Sequence, residues 1–144
     1  MKFLLLFLLI GSARCDDWGQ ASGPNGNIIV EGNAPATFNV SRNEGVKWCT
    51  PLPNTGLGSV VISNGRVFVA SHAPTDGDAK TGSLIIGQCF DAATGKELWR
   101  VRHPGGFNVA ARPLYAHDLV YVFTSGLTGY LMAIRADGTG DVHT

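Results

Sequence analysis

Residues 89–99 read Cys89-Phe90-Asp91-Ala92-Ala93-Thr94-Gly95-Lys96-Glu97-Leu98-Trp99. An apolar run enters this stretch from Ser83 to Phe90, and Glu97 to Val101 leaves it. Between them, Asp91 to Lys96 reads as a turn, with Thr94-Gly95 supplying a tight bend and a residue free to adopt a positive φ. The reading is strand, tight turn, strand, with a large flat ring two residues into the second strand.

Working outward, the same order recurs. Upstream, Ser59 to Ile62 and Arg66 to Ala70 are β-rich runs joined by Asn64-Gly65, the pair preferred in a two-residue type I′ hairpin. Downstream, His117-Asp118-Leu119-Val120-Tyr121-Val122 takes the place of Asn64-Gly65-Arg66-Val67-Phe68-Val69, and Gly129 to Ile134 takes the place of the strand before Asp91. Gly45-Val46-Lys47-Trp48 anticipates Lys96-Glu97-Leu98-Trp99 about 50 residues later. His72 to Gly82 reads as a polar loop, and the fourth strand is expected to stop near Pro104-Gly105-Gly106.

A repeat of about 40–50 residues holding four short strands is the pattern of a propeller blade. Each such sheet is apolar on both faces and needs neighbours to cover it. A β-sandwich also has short strands at regular spacing, but it does not predict the recurring Trp. The fold expected is all-β: a partial β-propeller of about two four-stranded blades plus one closing strand at 44–49. Trp48, Asp91, Thr94, Gly95 and Trp99 are the expected structural residues of the repeat, with Trp99 sealing one blade on the next and Trp48 doing so one blade earlier.

Composition agrees. In 144 residues there are 19 Gly and 7 Pro, so turns are dense and a long helical bundle is excluded. Charged residues are only 15% and the net charge is zero, which disfavours a nucleic-acid binder that neutralises phosphates. Hydrophobic content of 44% is too high for a disordered chain.

Met1-Lys2 followed by Phe3 to Ile10 fits a secretory signal peptide, too short to span a bilayer, with cleavage after Ala13 or after Cys15. Acylation of Cys15 is a weaker alternative, because Arg14 stands where a small residue is expected. Residues 16–43, polar and rich in Gly and Asn, read as an extended surface arm anchored by Trp18. Cys49 and Cys89 could pair after export, or serve as two small half-buried apolar residues.

Cys89-Phe90-Asp91 with Ala92 to Trp99 resembles the tryptophan-docking repeat of pyrroloquinoline-quinone-like (PQQ-like) β-propellers. The opening Asp17-Trp18 with Gly23-Pro24-Asn25-Gly26, and the segment Ala133 to Val142, are similar to parts of exported bacterial propellers of this type. The resemblance covers residues 16–144. It implies a signal peptide at 1–13, an arm at 16–43, and a propeller part at 44–144 that members extend to seven or eight blades, so the chain is expected to be the N-terminal part of a larger protein or a truncated product. It departs from the pattern at Gly19 and Ala21-Ser22, where the arm of such proteins carries Pro and a bulky residue followed by Arg.

The family resemblance implies a periplasmic or secreted protein acting as a binding or scaffolding module, with protein partners at the cell envelope and no transmembrane helix in the mature chain. The alternative it implies is the N-terminal part of a quinoprotein dehydrogenase, using PQQ and calcium. For this chain no catalytic, cofactor or metal residue is expected. The adjacent Cys–Cys pair of the enzymes is absent, and Trp18, Trp48 and Trp99 read as packing residues before cofactor stackers. Asp76 to Gly82 starts like a calcium loop but places Lys80 on a ligand position and Thr81 where the turn wants Gly. His72, His103, His117 and His143 are scattered, with no pair at metal-ligand spacing.

Overall fold

The computed structural model describes residues 17–20, 22–29, 36–52, 59–74, 83–106, 112–124 and 129–143. Eight strands are formed by these residues: β1 Val61–Ser63, β2 Arg66–Pro74, β3 Ser83–Asp91, β4 Glu97–Gly106, β5 Leu114–Ala116, β6 Leu119–Phe123, β7 Leu131–Arg135 and β8 Gly140–His143. They make two sheets, in the order β1-β2-β3-β4-β8 and β5-β6-β7. The chain is all-β, and its sheets are a partial β-propeller: β1 to β4 form one antiparallel four-stranded blade, and β5 to β7 form three strands of the next. No described helix is long and apolar enough to cross a membrane.

Local chemistry sets the hairpins. Asn64 and Gly65 have φ of 50° and 70°, and His117 and Asp118 have φ of 53° and 60°. Both residues of each pair lie in the left-handed region that a type I′ turn demands. The two turns therefore emerge side by side at the same end of successive sheets, where β1 and β5 touch.

The core lies between the sheets. Register places Phe68, Cys89 and Trp99 in one row across β2, β3 and β4, and Ala70, Gly87 and Val101 in the next. These rows join Val120 and Val122 of β6 in one buried cluster, with Tyr115, Met132 and Ile134 packed against it. A Cβ at Gly87 would stand 3.0 Å from Val101 Cγ1 and 3.5 Å from Ile134 Cδ1. The missing side chain is what lets β7 approach. Each fully buried side chain of this kind stabilises the pair of sheets by about 1.5–3 kcal/mol. On the opposite face of the first sheet, buried Gln88 donates through Nε2 to Glu97 Oε2 at 2.9 Å and accepts from Ser71 Oγ at 3.4 Å. Glu97 in turn pairs with Arg100.

The structure departs from the sequence reading in four places. The segment 44–49, expected as a closing strand, has no ladder. Glu44 makes an isolated bridge with Asn39, and residues 46–52 are irregular. A strand exists only where a neighbour's backbone takes its N–H and C=O groups, and no described strand lies alongside this one. His72, expected in a loop, continues β2 opposite Ile85, and the rest of that loop, 75–82, lies outside the described residues. β4 runs through Pro104 to Gly106. This is permitted because β8 pairs with β4 only as far as Arg102, so Pro104 sits on an edge where its missing N–H has no described strand to serve. β8 itself was not expected. It joins the outer edge of β4 in parallel, making the first sheet five-stranded.

The arm does more than cover surface. Trp18 and Ile62 exchange backbone hydrogen bonds, Trp18 N to Ile62 O at 2.7 Å and Ile62 N to Trp18 O at 3.0 Å. The next residue, Gly19, accepts from Tyr115 N of β5 at 3.1 Å. Residues 17–19 thus bridge the free edges of β1 and β5. Residues 24–29 and 40–45 are exposed.

Candidate functional site

Two turns, one from each sheet, carry the repeated geometry. In the first, Asp91 Oδ1 accepts from Ala93 N at 3.0 Å, Thr94 N at 2.7 Å and Thr94 Oγ1 at 2.7 Å. These bonds, led by the Thr94 hydroxyl, hold the Asp91 carboxyl below its ordinary range. Gly95 N closes the turn on Asp91 O at 2.8 Å, and Ala92 N ties it to the Gly65 carbonyl of the neighbouring hairpin at 2.9 Å.

This places Ala92 O outward, where Trp48 Nε1 donates to it at 3.0 Å. The Trp48 ring lies on Gly95: a Cβ there would meet ring atoms Cδ2 and Cε3 at 2.7 Å, and Gly95 φ is +72°. Thr50 Oγ1 donates to Gly95 O at 2.8 Å. Of the residues expected from sequence, Trp48, Asp91, Thr94 and Gly95 therefore meet at one turn, Asp91 and Thr94 shaping it and Trp48 lying on it.

Trp99 stands at the second turn. Its Nε1 donates to Ala136 O at 3.1 Å, and the residue is 4% exposed. Ala136 N donates to Asp118 O of the neighbouring hairpin at 3.1 Å, as Ala92 N does to Gly65 O. The second turn differs in its own bracing. Arg135 replaces Asp91 and binds Asp137 through two bonds of 3.0 and 2.8 Å, which lowers the Asp137 carboxyl and raises the Arg135 guanidinium.

Beside this second turn, between the two hairpins, lies a recess of about 570 Å³. Leu119 gives it apolar surface above the buried Phe68, and Arg66, Asn64, Tyr115 and Asp118 give it polar surface. Asn64 Nδ2 donates to Tyr115 Oη at 2.9 Å, and Tyr115 Oη donates to Asp118 Oδ1 at 2.9 Å. Burial first, and then Asp118, pushes the Tyr115 phenol up, so it stays a donor. Arg66 Nη1 donates to Ala136 O, the same carbonyl that receives Trp99. On the far side Asp17 accepts from Ser63 Oγ at 2.7 Å and Asn64 N at 3.0 Å, joining the arm to this network. Sequence reasoning did not single out Arg66, Asn64, Tyr115 or Asp118 as a group. The available signal was the pairing of Asn64-Gly65 with His117-Asp118, which puts the two turns side by side once the blades stack.

A model of the family described as outer membrane protein assembly factor BamB, a PQQ-like repeat family, matches residues 13–142. The chain belongs to this family. No curated protein and no solved structure matches it. Within the PQQ-like repeat the other candidates named from sequence stand apart. His72 and His103 flank Ile85 on β2 and β4, His117 lies at a hairpin turn, and His143 ends β8. His103 packs edge-on against Tyr130, with ring centroids 4.7 Å apart. The Asp76 to Gly82 loop lies outside the described residues. Cys49 and Cys89 are both free thiols, Cys49 exposed and Cys89 buried. Burial pushes the Cys89 thiol up to about 11.

Proposed function

We propose that this PQQ-like repeat chain is an exported binding or scaffolding module of the cell envelope. The observation that carries the reading is the family match over residues 13–142, whose description is an envelope assembly factor. The apolar run Phe3 to Ile10 and the small residues before Arg14 support export, with a signal peptide at 1–13, an arm at 16–43 and the propeller part at 44–144, whose sheets begin at Val61. In this reading Trp48, Asp91, Thr94, Gly95 and Trp99 are docking residues. The hydrogen bonds of both indoles to a carbonyl of the following turn support that role over cofactor stacking.

Fractionation of a bacterial host with intact-mass analysis tests export. A periplasmic or secreted product lacking 13 to 15 residues is expected, and a diacylglycerol-sized gain on Cys15 places it instead among lipoproteins. A cytoplasmic product retaining Met1-Lys2 refutes export. Dye-linked dehydrogenase turnover after addition of PQQ and Ca²⁺ refutes the module reading.

A further inference from the structure

The recess between the two hairpins is lined by two pairs of opposite charges. At its rim Arg135 and Asp137 neutralise each other. Arg66 and Asp118 do not. Arg66 engages a neutral carbonyl, Ala136 O, through Nη1, and among the described residues it enters no ion pair. Asp118 accepts from the neutral Tyr115 hydroxyl through Oδ1, and it too has no cationic partner among the described residues. One guanidinium and one carboxylate thus line the same cavity, beside the half-buried Leu119.

Asp118 has φ of 60°, a conformation that Asp tolerates in a type I′ turn, and its carboxylate lines the recess beside the Tyr115 hydroxyl. The volume of about 570 Å³ is within the range of small-molecule sites and lies at a seam between packed units, where such sites concentrate.

We propose that this recess binds a small zwitterion, an amino acid with an apolar side chain, whose carboxylate pairs with Arg66 and whose ammonium group pairs with Asp118. The half-buried Leu119 takes the side chain, with Phe68 closed off beneath it in the core. The site goes beyond the scaffolding role, although Arg66 also reaches the Ala136 carbonyl that receives Trp99.

The test uses the full chain and three probes, L-leucine, N-acetyl-L-leucine and L-leucinamide, titrated by calorimetry or NMR. L-leucine is expected to bind at least about tenfold more tightly than either blocked form, the scale of one charge-assisted contact. Asp118→Asn keeps the left-handed turn and an acceptor for Tyr115, so it isolates the charge. It is expected to remove the advantage of L-leucine over N-acetyl-L-leucine and to leave N-acetyl-L-leucine binding unchanged. Arg66→Gln is expected to remove the advantage over L-leucinamide. Should Arg66→Gln fail to fold, by its melting curve, Asp118→Asn decides alone. No binding of L-leucine at about 10 mM, a concentration that detects even millimolar sites, overturns the proposal. So does equal binding of L-leucine and N-acetyl-L-leucine, which leaves a simple anion site, or L-leucine binding that Asp118→Asn does not change.

Discussion

Replacing Gly95 by Ala tests the contact between Trp48 and its turn at a single atom. Two costs are separable in the structure. The first is backbone: an L-residue at φ +72° carries about 1–2 kcal/mol of strain. The second is contact: the added Cβ would lie 2.7 Å from two Trp48 ring atoms and 2.9 Å from Thr50 Oγ1. The ring must leave, taking with it the Nε1 bond to Ala92 O, and the Thr50 bond to Gly95 O is disturbed. Each such bond contributes about 1 kcal/mol net, so Gly95→Ala should destabilise by about 3–4 kcal/mol. Gly65→Ala is the control. Gly65 has φ +70° but nothing within 4 Å of the added atom, so only the backbone cost of about 1–2 kcal/mol applies. Urea titration of both variants, each also made in a Trp48→Ala background, gives the answer. Gly95→Ala should cost about 2 kcal/mol more than Gly65→Ala, and about half of that excess, the Trp48 share, should vanish once Trp48 is gone. Equal losses in the two glycine variants, or an excess that Trp48→Ala leaves undiminished, would refute the reasoning.

Trp99→Ala removes a ring that is 4% exposed and should cost about 3–5 kcal/mol by denaturant titration, whereas a loss within about 0.5 kcal/mol would make it a surface residue. The Asp91 carboxyl is lowered by its Thr94 and Ala93 bonds, so its contribution to stability is full above the unfolded carboxylate range and lost as pH falls through the folded value; Asp91→Asn should therefore narrow its stability gap to the parent in melts taken at progressively more acidic pH. With burial holding the Cys89 thiol at about 11, iodoacetamide at pH 8 followed by peptide mapping should label Cys49 first and Cys89 only on unfolding.

What could be read from sequence was what the chain determines locally. Asn64-Gly65, His117-Asp118 and the Asp91 to Lys96 turn carry their geometry in adjacent residues, and each forms where its chemistry places it. The strands flanking them follow. What escaped was pairing between distant segments. Nothing in Gly140 to His143 says that it will lie parallel to β4, and nothing in Val46 to Cys49 says that no described strand will flank it. Pro104 looks like a stop until the edge on which it sits is known. The recess was unreadable for the same reason. Arg66 and Asp118 are unremarkable singly, and only the stacking of two sheets makes them neighbours.

The direction of the two indole contacts has a consequence for the order of assembly. Trp48 reaches forward in the chain to Ala92, and Trp99 reaches forward to Ala136. The ring always precedes the carbonyl that receives it. A chain that emerges from the ribosome, or threads through a membrane pore, N-terminus first therefore presents each clasp before its catch. Each of these two turns finds its ring already made when it forms. The polarity of these two contacts thus favours growth of the fold from the N-terminal end, with β8 added to the first sheet afterwards. A circular permutant beginning between Trp48 and Ala92 would reverse that order for the first clasp while leaving the second as it is.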